Sequence, residues 1–125
     1  MNAYLSVFVG AGIGGALRHG VNIWSAKLLG NGFPYGTLIV NIVGSFIMGV
    51  LAEWFALRFD PGQAWRLFLT TGILGGYTTF SAFSLDAALM IERNEYLLAG
   101  VYVLTSVVAS VAGLFLGLLM VRHLA

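Results

Sequence analysis

Cysteine is absent from all 125 residues, which excludes disulfides and thiolate metal sites. Charge is scarce as well: Asp, Glu, Lys and Arg make up 9% of the chain, where a soluble domain carries roughly a quarter. No block of like charges occurs and the net charge is +1, so nothing here is built to grip nucleic acid. No hydrolase triad, phosphate loop or nucleotide motif is present, and an enzyme is not expected. His19 and His123 stand near the ends of apolar runs with no partner at metal-ligand spacing. What remains is a chain that is 59% hydrophobic with a mean hydropathy of +0.92, the composition of an integral membrane protein.

Turn residues and charges divide the chain into four apolar segments, at about residues 3–28, 35–57, 66–91 and 97–122. Each is near the roughly 20 residues that cross the hydrocarbon core as a helix. The connections are short: Gly30-Asn31-Gly32-Phe33-Pro34, Phe59-Asp60-Pro61-Gly62 and Glu92-Arg93-Asn94-Glu95. The N-terminal residues lack the basic region and cleavage site of a signal peptide and read as the start of the first span. The expectation is an all-α membrane protein forming a single transmembrane domain over residues 1–125. Trp24, Tyr35 and Tyr96 fall at one water interface, and Tyr4, Trp54 and Trp65 at the other.

Charge does not orient this bundle. Arg58, Arg66 and Arg122 fall on one side; Lys27 and Arg93, with Arg18 close by, fall on the other. The positive-inside rule then predicts insertion in both orientations, hence dual topology. A four-helix protomer has little room for a private pore, whereas two oppositely oriented copies make an inverted repeat. An antiparallel homodimer is the expected assembly.

The third segment carries the strongest functional signal. Gly72-Ile73-Leu74-Gly75-Gly76-Tyr77-Thr78-Thr79-Phe80-Ser81-Ala82-Phe83-Ser84 lies where an uncharged span belongs, yet it is crowded with glycines and hydroxyls. Gly75-Gly76 followed by Thr78-Thr79 weakens the helix, and released backbone groups at that depth need protein, water or an ion. Phe80 and Phe83 are three apart and share a helix face. They are either packing residues or rings whose positive edges meet an anion. Asn41, mid-way along the second segment, either bridges helices or donates to an anion.

Other polar residues have bland and functional readings side by side. Ser106 and Ser110, four apart, share a face with Tyr102 and Thr105 nearby, and Thr37 and Ser81 add hydroxyls elsewhere. Small hydroxyls commonly pack membrane helices, but a polar stripe also fits them. Gly113 and Gly117 have the spacing of a helix-packing face. Arg18 either snorkels or lends positive potential to an aqueous vestibule. Asp86 follows the phenylalanines and is placed to cap the hydroxyl stripe, while Glu53 sits beside Trp54 near an interface.

With these residues in view, the chain resembles the Fluc fluoride channel family, also called CrcB. The match runs over essentially its whole length: Gly14-Gly15-Ala16-Leu17-Arg18, Gly36-Thr37 through Asn41, Gly44-Ser45-Phe46, and Gly72 through Ser84, which looks like the family's GGxTTFSTFS signature. The resemblance implies a dual-topology antiparallel homodimer that conducts fluoride passively through two pores in the bacterial inner membrane. It implies that Asn41 donates to fluoride and that Phe80 and Phe83 form aromatic boxes. Thr37, Tyr102, Ser106 and Ser110 match a polar track, Ser81 lies in the signature, and Arg18 matches the first-span arginine at the vestibule. A structural Na+ at the dimer centre would be held by backbone carbonyls matching Gly75 and Thr78. Two positions depart from the pattern: Ala82 replaces a threonine and Asp86 replaces a glutamate. The rival expectation is a small multidrug-type dual-topology exporter, which needs a carboxylate in the first span; residues 3–17 contain none.

Overall fold

Helix α1 (Ala3–Leu29) opens on Asn2, whose side-chain oxygen accepts the N–H groups of Tyr4 at 2.7 Å and Leu5 at 3.3 Å, satisfying two donors that no helical turn can reach. The computed structural model describes residues 2–124, and all regular structure among them is helical. α1 stops where Gly30 turns to φ 82°, a left-handed conformation that favours glycine. Helix α2 (Tyr35–Leu57) starts directly after Pro34. At the next turn Asp60 Oδ1 accepts both the Gly62 N–H at 2.9 Å and Arg66 Nη2 at 3.2 Å.

The third segment is less regular than its sequence predicts. Helix α3 (Gln63–Leu67) runs into a π-helical stretch (Phe68–Leu74), then one α-helical turn, α4 (Gly75–Tyr77). Only Thr78 and Thr79 are extended, at ψ 158° and 120°. Helix α5 (Phe80–Glu92) resumes beyond them, and α6 (Tyr96–Leu124) follows a turn at Asn94. The break therefore lies on the two β-branched residues, not on the glycine pair. Threonine is at home in extended backbone, and the glycines serve a different purpose.

That purpose is close approach. A Cβ on Gly14 would overlap the Ile73 carbonyl oxygen, one on Gly76 the Ala11 oxygen, and one on Gly10 would come 2.6 Å from the Phe68 oxygen. These three positions let α1 lie against the π-helical stretch and α4 with almost no side chain between them. A second seam joins α2 to α6, where a Cβ on Gly49 would overlap the Leu114 oxygen and one on Gly117 the Phe46 oxygen. Such seams are the usual packing of helices in lipid, where no hydrophobic force drives association. Gly14→Ala should therefore lower stability by about 1–3 kcal/mol, the cost of overpacking against rigid backbone. Gly100→Ala, with no atom within 4 Å, should be near neutral. Melting midpoints of the two detergent-solubilised variants check this.

The exposed and buried sets are those of a protein that meets lipid. Phe8, Leu28, Leu97, Leu104 and Val108 are exposed, whereas Ser6, Thr37, Thr79, Ser106 and Tyr102 are buried. α2 and α6 each contain an 18-residue stretch, of mean hydropathy 1.9 and 2.3 respectively, and are long and apolar enough to cross a membrane. Among their cross-links is an ion pair at the far end of both: Arg122 Nε donates to Glu53 Oε2 at 2.8 Å, with the Glu53 side chain only 10% exposed.

Candidate functional site

The extended residues between α4 and α5 are held by a side chain from α2. The Thr79 N–H donates to Asn41 Oδ1 at 2.8 Å, and Asn41 Nδ2 donates back to the Thr79 carbonyl at 3.1 Å. Thr79 also starts α5: its Oγ1 accepts the Ala82 N–H at 3.1 Å and lies 3.3 Å from Ser81 Oγ. In an uninterrupted helix the Thr79 N–H would go to the Gly75 carbonyl and the Ala82 N–H to the Thr78 carbonyl. Both donors are diverted, so those two carbonyls lose their helical partners. Thr78 itself stays tied to the preceding turn, with its N–H and its hydroxyl each donating to the Leu74 carbonyl at 3.0 Å.

Beside this break lies a cleft of about 310 Å³ walled by Asn41, Phe80, Phe83, Ser106 and Ser110 among others. The structure thus brings together Asn41, Phe80, Phe83, Ser106 and Ser110, from α2, α5 and α6, beside Thr78 and Thr79 of the break. Phe80 and Phe83 rings stand 5.5 Å apart at 52°, and Phe83 continues to Tyr102 at 5.3 Å. Ser106 Oγ and Ser110 Oγ are buried with no hydrogen-bond partner. An unpaired buried hydroxyl costs about 1–3 kcal/mol, so two in one cleft ask for an explanation beyond packing. Asn41 keeps one N–H beyond the one given to Thr79, because a carboxamide carries two.

The hydroxyl stripe ends at a carboxylate. Tyr102, fully buried, donates its O–H to Asp86 Oδ2 at 3.0 Å, and its ring meets Phe33 edge-on at 5.4 Å. Thr37, also buried, lines the cleft of about 380 Å³ in which Asp86 stands. Arg18 lies on the other side of α5, lining a third cleft with Ser81 and Thr79, and has no ion-pair partner among the described residues. Thr37, Tyr102, Ser81 and Arg18 are therefore near the break but outside the Phe80–Phe83 cleft itself. Among the described residues no group of three or more His, Asp and Glu is placed to hold a metal ion.

This arrangement can be compared with known proteins. The model of a protein family described as "CrcB-like protein, Camphor Resistance (CrcB)" matches residues 5–118. The chain belongs to the CrcB family. Its relatives include a Methylobacterium nodulans protein named "Fluoride-specific ion channel FluC", 60% identical over 119 residues that cover 95% of each chain. A Nitrobacter hamburgensis protein, "Fluoride-specific ion channel FluC 2", is 55% identical over 97% of this chain and 98% of its own. A Rhodopseudomonas palustris protein of the first name is 55% identical over 95% of this chain and 96% of its own. These names describe non-enzymatic membrane proteins, and nothing in them supports the multidrug-exporter alternative.

Three features escape sequence reading, two at the site and one at the far end of α2 and α6. Thr79 is legible as part of the helix-weakening Thr78-Thr79 pair but not as the residue that starts α5, although a Thr just before Phe80-Ser81-Ala82 is a helix N-cap signal. The Tyr102–Asp86 bond joins positions 16 apart on different helices, which no periodicity links. The Glu53–Arg122 pair joins positions 69 apart.

Proposed function

We propose that this protein is a passive, fluoride-selective channel that lets cytoplasmic fluoride leave a bacterial cell across the inner membrane. The observation that carries the reading is the pair of orphaned hydroxyls, Ser106 and Ser110, in one cleft with Asn41 and the Phe80–Phe83 rings. Family membership and the printed names of the relatives support it. Fluoride is small and strongly hydrated, so a pore must replace its water with short hydrogen bonds. Donors without acceptors meet that need, and ring edges exclude water while offering their positive rim.

The assembly belongs to the same proposal. All four helical segments cross the membrane, and two copies pack in opposite orientation to give two pores. The balanced basic residues support dual topology. Phe80, 78% exposed in the single chain, is well placed for cover by a second copy. The carbonyls of Gly75 and Thr78, relieved of their helical donors, are hard oxygen ligands that suit a Na+ ion between subunits. Such an ion would supply fixed positive charge, lowering the cost of an anion in a low-dielectric slab.

Liposomes loaded with potassium fluoride and containing the purified protein should lose fluoride on valinomycin addition, read by a fluoride electrode. Liposomes loaded with chloride should retain their anion. Equal release of both would reject selectivity, and release of neither would reject the channel.

A further inference from the structure

Ala82, the position where this chain departs from the signature threonine, stands at a junction of two clefts. The cleft of about 460 Å³ holds Arg18 and His19, and the cleft of about 380 Å³ holds Thr37 and Asp86. Two residues line both of them, Ala82 on α5 and Asn22 on α1. Asn22 carries a carboxamide that is exposed and has no hydrogen-bond partner among the described residues. Its Oδ1 packs against Gly36, where an added Cβ would overlap it. No hydrogen bond holds the carboxamide among the described residues, so the two N–H donors of Nδ2 are available to the clefts it lines.

The chemistry of the junction calls for such a donor. An anion passing from the Arg18 side toward Thr37 would meet the Asp86 carboxylate, and the Tyr102 hydroxyl that caps it occupies only Oδ2. Arg93 lines the same cleft with its charge paired to Glu95, to which its Nε donates at 2.6 Å, and its remaining N–H groups are further donors there. Ala82 offers a methyl group, which leaves space and supplies no hydrogen bond. We propose that Asn22 binds the permeating anion at this junction through Nδ2, replacing a donor that a threonine at position 82 would provide, while Ala82 keeps the passage open. The proposal rests on the fluoride-channel reading above.

The test is fluoride efflux from liposomes bearing the full chain, with Asn22→Ala, Asn22→Asp, Ala82→Thr and Asn22→Ala/Ala82→Thr beside the parent. Loss of one hydrogen bond to an ion predicts a fall of about tenfold or more for Asn22→Ala. Asn22→Asp, which keeps the shape and adds negative charge, should fall further. Ala82→Thr restores a hydroxyl to the same wall and should recover at least about threefold of the Asn22→Ala loss, as coupled neighbours do. Efflux from Asn22→Ala and Asn22→Asp within twofold of the parent would overturn the proposal. A loss that Ala82→Thr does not relieve would also overturn it, reducing Asn22 to packing against Gly36. A parent protein that passes no fluoride would reject the channel reading itself, so the two failures are distinguishable.

Discussion

Asn41→Asp should cut fluoride efflux about 100-fold while the protein remains folded, because one donor to an ion is worth about 1.5–3 kcal/mol and an added charge opposes the anion as well. The substitution is nearly isosteric, and its Oδ1 can still accept the Thr79 N–H that now lies at 2.8 Å. What changes is the supply of donors. An ionised aspartate has none and repels fluoride. A protonated one spends its single O–H on the Thr79 carbonyl, which Asn41 Nδ2 now satisfies at 3.1 Å. In either protonation state no N–H or O–H is left for the ion. Efflux assays paired with size-exclusion profiles separate this from misfolding, and retention of half the parent flux would show that Asn41 only clasps the break.

The double replacement Ser106→Ala/Ser110→Ala should lower fluoride flux about tenfold or more, by the same donor arithmetic, yet leave thermal stability unchanged or raised. Both hydroxyls are buried without partners, so removing them abolishes a desolvation cost of about 1–3 kcal/mol apiece in the empty protein. Function and stability then move in opposite directions, as they do where a site is kept polar for its ligand. A packing role predicts the reverse, a loss of stability with flux intact. Melting midpoints and efflux measured on the same preparation decide between them.

How far the site could be read from sequence depends on which contacts are local. The helix limits follow from residues whose backbone demands are their own: Gly30 at φ 82°, Gly62 at φ 86°, and Pro34 just ahead of α2. The face shared by Phe80 and Phe83 follows from their spacing of three. Asn41 could be singled out as a costly carboxamide in an apolar run, but its two readings stayed level, since its partners on Thr79 lie 38 residues away. The glycines of the third segment read as weakness when taken alone, because their use depends on α1 backbone that only packing brings close.

A helical membrane protein of the CrcB type, with hydroxyls, an amide and paired phenylalanines concentrated around one weak segment, is legible in the residues alone. Those properties are carried by composition, run length and short motifs, which need no tertiary partner. Packing of distant helices sets where the third segment breaks, because the stretch from Gly75 to Thr79 offers several places to interrupt it and Asn41 captures the backbone of Thr79. It also leaves the buried hydroxyls of Ser106 and Ser110 in the cleft, like that of Ser6 elsewhere, without partners, and sets the carboxamide of Asn22 at a junction of two clefts. A hydroxyl or amide has the same donors wherever it occurs; whether a neighbour has already taken them depends on the packing of helices distant in the chain.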